Sequence, residues 1–223
     1  MKRFLMLAAA LAALGPAAAL AQAQARPTAV VAAAPRPAPL TGEARAQAIA
    51  AANRALNAQA AVQGRFRQVA PDGSVASGVF YLQRPGRLRF EYDPPASLLI
   101  VADGSVVAVN DRALRTTNRS PLRETPLYFV LKSNLDLNRD ARVTAVTRDG
   151  PAILIAARDR AGQADGVLTL RFVGPGMTLQ GWDVVDASGA TTRVVLTEQR
   201  AAARFEQRLF QVPRDQLPRS GRP

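Results

Sequence analysis

The chain has 223 residues, a formal net charge of +12, a pI near 11.5, no histidine and no cysteine. These numbers exclude disulfides, thiol nucleophiles, imidazole bases and the best transition-metal ligands, so the fold rests on its core alone. Lys2 and Lys132 are the only lysines and aromatics make up 5%, and because the arginines are scattered rather than clustered, no base-stacking nucleic-acid surface is expected.

Met1 to Ala25 has two leading cations, Lys2 and Arg3, an apolar run from Phe4 to Leu14, and then small residues. That is the layout of a secretory signal peptide, cleaved after Ala21, Ala23 or Ala25; the alternative is an uncleaved anchor. The product is expected to be exported and soluble, with a charge of about +10 once Lys2 and Arg3 are gone. Lacking cysteine, it carries no lipid anchor. Its basic charge suits anionic headgroups or acidic partners, or reflects only a coding preference for arginine. Residues 26–40 are rich in alanine and proline and read as a disordered linker. Residues 213–223 read as a loose basic tail. Between them, residues 41–212 are enough for one domain with a sizeable core.

That domain is expected to open with a helix capped by Thr41 or Gly42, with Glu43 in its first turn, Ile49, Ala52 and Leu56 on its apolar face, and Gly64 as its stop. From there the period changes to two. Strands are expected at Arg65–Val69, Ser77–Gln83, Arg87–Tyr92, Ser97–Ala102, Val106–Asn110, Ala113–Asn118, Arg142–Arg148, Ala152–Asp159, Val167–Val173, Gln180–Ala187, Thr191–Gln199 and Phe205–Gln211, most of them joined by short turns. The exception is Thr125 to Asn134, where Thr125 can cap and Pro126 can take the first position of a short helix. Leu88, Phe90 and Tyr92 alternate against Arg87, Arg89 and Glu91, and Leu168, Leu170 and Phe172 against Thr169 and Arg171, so each strand has one dry face. Two small helices over a broad antiparallel sheet would leave an apolar hollow.

Catalysis is not expected. Lys132 and Ser133 are adjacent and do not face each other, while Asp183 and Asp186 fall on opposite strand faces. Asp136 and Asp140 lack calcium-loop spacing, and "GPGMTLQG" has no helix after it to cradle a phosphate. No metal or other cofactor is expected.

The order of "YLQRPGRLRFEYDPP", "LLIVADGSVVAVND" and "TPLYFVL" between Phe66 and Asp136 resembles the LolA family, the periplasmic carriers of outer-membrane lipoproteins. The resemblance implies a mainly β fold, an incomplete, half-open antiparallel β-barrel of about 11 strands, closed by a few helices that form a lid over an apolar cavity. It implies no enzyme activity. Its cargo would be outer-membrane lipoproteins, received from an inner-membrane lipoprotein-releasing transporter and passed to an outer-membrane acceptor or to the membrane itself by a monomer in the periplasm. By motif, Arg84 matches the family's arginine that hydrogen-bonds lid backbone in the closed, empty state. Phe66, Phe80, Leu82, Leu88, Phe90, Tyr92, Leu168, Leu170 and Phe172 would line the cavity, and Leu127, Phe129 and Val130 would belong to the lid helix. For each of these apolar residues taken singly, alternation favours an ordinary core, and Arg84 also fits a snorkelling rim arginine. The linker and the arginine-rich surface are unusual for the family. A different function stays open on the same fold, a periplasmic module that senses lipid or lipoprotein without transporting it.

Overall fold

A computed structural model describes residues 37–211; the expected signal peptide, most of the linker and the basic tail lie outside the described residues. In chain order the elements are β1 (Ala38–Pro39), α1 (Gly42–Ala58), β2 (Ala61–Val69), β3 (Val75–Gln83), β4 (Arg87–Tyr92), β5 (Leu98–Asp103), β6 (Val106–Asp111), β7 (Thr116–Pro121), a 3-10 turn (Leu122–Glu124), α2 (Leu127–Leu131), α3 (Leu137–Asp140), β8 (Ala141–Asp149), β9 (Ala152–Asp159), β10 (Val167–Val173), β11 (Thr178–Val185), β12 (Thr191–Ala201) and a second 3-10 turn (Gln207–Phe210). The strands form one 12-stranded sheet in the order β1-β8-β9-β10-β11-β12-β2-β3-β4-β5-β6-β7. Neighbours pair antiparallel, while β1 and β7 stand at the two ends unpaired with each other. The barrel is therefore incomplete, as expected.

Register stacks the dry faces into one surface. Leu82 lies opposite Leu88, Phe80 opposite Phe90, Phe66 opposite Leu196, and Leu170 opposite Trp182, which in turn lies opposite Val194. Side chains directly opposite in an antiparallel pair share a face, so each match extends the same apolar wall. The helices cover that wall, with Ala48, Ile49, Ala52 and Leu56 of α1 and Phe129, Val130 and Leu131 of α2 buried in the cluster that the wall forms.

Several expectations need correction. The first helix ends at Ala58 and Gly64 lies within β2; a Cβ there would meet Thr197 O at 2.6 Å and Phe80 Cε1 at 2.9 Å, so close packing, not helix termination, asks for glycine. Ala38–Pro39, in the segment read as linker, pairs with β8. There Leu40 N donates to Val146 O at 2.8 Å and Arg45 Nη2 to Val143 O at 3.0 Å, which covers part of an otherwise open sheet edge. Pro126 occupies the cap position of α2 instead of its first turn, and the Thr125 hydroxyl donates to Leu122 O at 2.8 Å instead of capping. α3 was not anticipated; Asp136 caps it by accepting from Asn138 N at 2.9 Å.

Phe205–Gln211 is not a strand. Phe205, Leu209 and Phe210 pack with Tyr81, Leu99 and Val101 on the side of the sheet away from the helices. Phe205 N donates to Gln83 Oε1 at 2.7 Å, and Arg89 Nη1 donates to Leu209 O at 3.2 Å. The sheet is thus buried on both faces at β3–β5. Phe210 is only 1% exposed, so Phe210→Ala is expected to cost about 3–5 kcal/mol and to lower the urea midpoint at an unchanged slope. A change within about 0.5 kcal/mol would mean that this segment is a loose tail after all.

Candidate functional site

The inner face of the sheet and the helices above it form the candidate site. All nine expected lining residues are buried there in one cluster, with Leu88, Leu170 and Phe172 at 0% exposure. The centre is aromatic. Phe66 stacks on Phe90 with centroids 4.6 Å apart, Tyr92 meets Phe66 edge-on at 4.9 Å, Phe80 meets Phe90 edge-on at 6.0 Å, and Trp182 stacks on Phe90 at 6.0 Å. Such contacts add about 0.5–1.5 kcal/mol each beyond area burial. The Tyr92 hydroxyl donates to Gln68 Oε1 at 2.7 Å, and burial pushes its phenol up to about 12. Of the expected lid residues, Phe129 and Val130 are fully in the cluster and Leu127 packs against it half-buried.

Arg84 stands at the end of β3 in the turn to β4. Its Nη1 donates to Gln59 O, the residue that ends α1, at 2.6 Å, and its backbone N donates to Ala60 O at 2.8 Å. Two residues on, Gly86 N donates to Leu131 O, at the end of α2, at 2.8 Å. One turn therefore holds the ends of α1 and α2. Gly86 has φ +74, and a Cβ would lie 2.6 Å from Gly104 Cα in the β5–β6 turn, so only glycine brings these turns so close. Burial pushes the Arg84 guanidinium down to about 10. Among the described residues no carboxylate pairs with it, so a backbone carbonyl is its only protein acceptor.

A second tether joins the helices to each other. Asn57 Nδ2 donates to Leu135 O at 2.8 Å while Leu135 N donates to Asn57 Oδ1 at 2.9 Å. One turn earlier on α1, Leu137 N donates to Asn53 Oδ1 at 3.0 Å and Asn53 Nδ2 donates to Asp136 Oδ1 at 3.2 Å. Two amides four residues apart on one helix face thus grip the chain entering α3 much as a neighbouring strand would. Lys132 pairs with Asp140 at 2.8 Å. The hydrogen bond from Arg139, with Lys132 adding to it, holds the Asp140 carboxyl well below the usual carboxylate range.

The polar residues weighed for catalysis have structural work instead. Lys132 is in that ion pair, Asp183 pairs with Arg193 at 2.8 Å, and "GPGM" is the β10–β11 turn. Among the described residues no three acidic side chains gather to hold a metal ion, and no helix is long and apolar enough to cross a membrane. The arrangement offers apolar contact and backbone hydrogen bonds. Trp182 went unread as a lining residue, although Val184 on its own strand and Val194 and Leu196 on the facing strand carried the alternation that places it inward. Asn53 and Asn57 gave only the i, i+4 spacing as a signal.

The profile of the family described as outer membrane lipoprotein carrier protein LolA matches residues 57–213. An outer-membrane lipoprotein carrier protein of Methylibium petroleiphilum is 30% identical over 142 residues, 60% of this chain and 68% of that one. Another, from Chromobacterium violaceum, is 26% identical over 171 residues, 74% of this chain and 82% of that one. The crystal structure of a LolA superfamily protein from Nitrosomonas europaea aligns with a TM-score of 0.46 at 12% identity, covering 75% of this chain and 97% of that one. With the family profile spanning most of the chain over the unclosed sheet and its covering helices, the protein belongs to the LolA family.

Proposed function

We propose that this chain is a periplasmic carrier of outer-membrane lipoproteins, which takes their acyl chains between the inner face of the sheet and the helices, without a cofactor or a chemical step. The observation that carries the reading is the kind of cover. A continuous apolar wall is closed by one 17-residue helix and two short ones held at a few polar points, not by a second sheet. An inner-membrane releasing transporter would load the carrier, and an outer-membrane acceptor, or the membrane itself, would unload it.

The magnitudes decide whether such a lid can yield. An acyl chain of about 16 carbons, at about 0.8 kcal/mol per CH₂, costs about 12 kcal/mol when exposed to water. The large apolar side chains that α1 buries are Ile49 and Leu56, together about 3–6 kcal/mol, and each lid hydrogen bond adds about 1 kcal/mol net. The two sums are of similar size. Cargo can displace the lid, and the returning lid lowers the net affinity enough for cargo to leave. Arg84 tunes this balance, because its bond to Gln59 O favours closure while its desolvation opposes it.

Three outcomes test the reading. Arg84→Leu, in which Gln59 O loses its donor, is expected to take lipoprotein from inner-membrane vesicles at least as well as wild type and to deliver it to outer-membrane vesicles about tenfold less well, the effect of one charge-assisted hydrogen bond. Arg84→Lys should fall between, since an ammonium does not reproduce the forked geometry. Lost uptake with intact delivery would make Arg84 a cargo contact instead. Leu88→Glu, which puts a carboxylate at a fully buried position, should abolish uptake at a charge cost of several kcal/mol; normal carriage by a folded variant would contradict the inner-face assignment. For the second tether, Asn53→Ala with Asn57→Ala should speed hydrogen exchange at the Leu135 and Leu137 amides about tenfold or more, and unchanged exchange would show that the tether does not hold α3.

A further inference from the structure

Among the described residues the exposed large apolar side chains are Leu114, 64% exposed, and Val75, 53% exposed. Both sit at hairpin tips, β6–β7 and β2–β3, and in this antiparallel order those tips lie at the sheet end opposite the Arg84 turn. The β6–β7 turn reads Arg112-Ala113-Leu114-Arg115 and is held in shape. Asp111 Oδ1 accepts from Ala113 N at 2.9 Å, from Leu114 N at 3.2 Å and from Ser97 Oγ at 2.7 Å. Arg115 takes a left-handed φ of 53. A leucine on so fixed a turn is displayed to solvent, not left there by slackness.

The charge around it is mainly positive. Arg112 in the turn reaches Glu91 at 3.9 Å, and Arg115 in the turn and Arg119 on β7 make no ion pair among the described residues. The acid within the hairpin is Asp111, whose carboxylate is engaged within the turn. An uncovered leucine beside unpaired guanidinium groups has the composition of an interfacial anchor, apolar tip inward and cations at headgroup level. A single projecting leucine offers far less area than a stable protein–protein contact buries, whereas a fluid bilayer needs no matching shape.

We propose that the β6–β7 hairpin docks this protein on an anionic lipid surface, with Leu114 entering the acyl boundary and Arg115 and Arg119 meeting headgroup phosphates. The purpose of such docking, contact with the membrane that receives cargo, rests on the carrier reading. The docking itself does not. The lid tethers lie at the other end of the sheet, so tip variants leave them intact.

The test is flotation of the full-length cargo-free protein with vesicles of phosphatidylethanolamine containing phosphatidylglycerol, beside vesicles of phosphatidylcholine, with uptake of a fluorescent fatty acid measured on the same samples. Wild type is expected to float with the anionic vesicles and to detach as salt rises. Leu114→Glu, and separately Arg115→Gln with Arg119→Gln, should each weaken flotation about tenfold and leave fatty-acid uptake unchanged. Leu114→Trp should give a blue-shifted emission with anionic vesicles only, above the background of buried Trp182. Absent flotation, or Leu114→Glu floating like wild type, would overturn the proposal. So would capture by an acidic protein, lost in Leu114→Glu, without flotation, which would assign the tip to a protein partner. Flotation with no fatty-acid uptake by wild type would instead sink the carrier reading and leave the docking surface standing.

Discussion

Everything in this molecule depends on one constraint: a twelve-stranded antiparallel sheet that does not close must cover its own apolar face. A closed barrel would fill its interior with its own side chains, and a sandwich would bring a second sheet. Here α1, α2 and α3 do the covering, and α1 does it with a thin face of two large apolar residues and two alanines. On the proposed carrier reading, a ligand as apolar as the wall beneath it can displace a cover of that strength.

The β3–β4 turn ties this cover to the sheet. Through Arg84 and Gly86 it reaches the last residues of α1 and α2 within one stretch of three residues, and Gly86 fits there because the β5–β6 turn approaches too closely for any side chain. A half-buried guanidinium with a carbonyl and no carboxylate gives up hydration for one bond. On the proposed carrier reading, that cost helps keep the closed state near balance. Asn53 and Asn57 act on another link, holding α1 to the chain entering α3.

Much of this was legible from residue order. Leu88, Phe90 and Tyr92 of β4 and Leu168, Leu170 and Phe172 of β10 alternate without interruption, and period two alone put them on one face. Ile49, Ala52 and Leu56 likewise fixed the buried side of α1. Other features were not legible, for physical reasons that can be named. Phe205 and Leu209 fall on one period-two face and so look like part of another strand, but Phe210 breaks that period, the sheet there already has its neighbours, and the segment packs on its far side instead. Gly64 resembled a helix stop because a glycine needed for close strand packing has the same letter as one needed for a cap. α3 has four residues, too few for any periodicity. The carbonyl that Arg84 binds, 25 residues back, is a tertiary fact that the Arg-Pro motif suggested only through a family resemblance.

The central claim is that the helices must leave the sheet for the interior to take a ligand, and the absence of cysteine from the chain makes it directly testable. Ala55 of α1 and Met177 of the β10–β11 turn line one groove, so cysteines placed at both can be joined across it by a thiol-reactive bifunctional cross-linker with a reducible spacer. With the cross-link formed, uptake of lipoprotein from inner-membrane vesicles should fall to background and return on addition of reductant, while either single variant treated with the same reagent carries cargo in both conditions. Uptake that proceeds unchanged through the intact cross-link would show that acyl chains reach their site without lid movement, and would contradict the account.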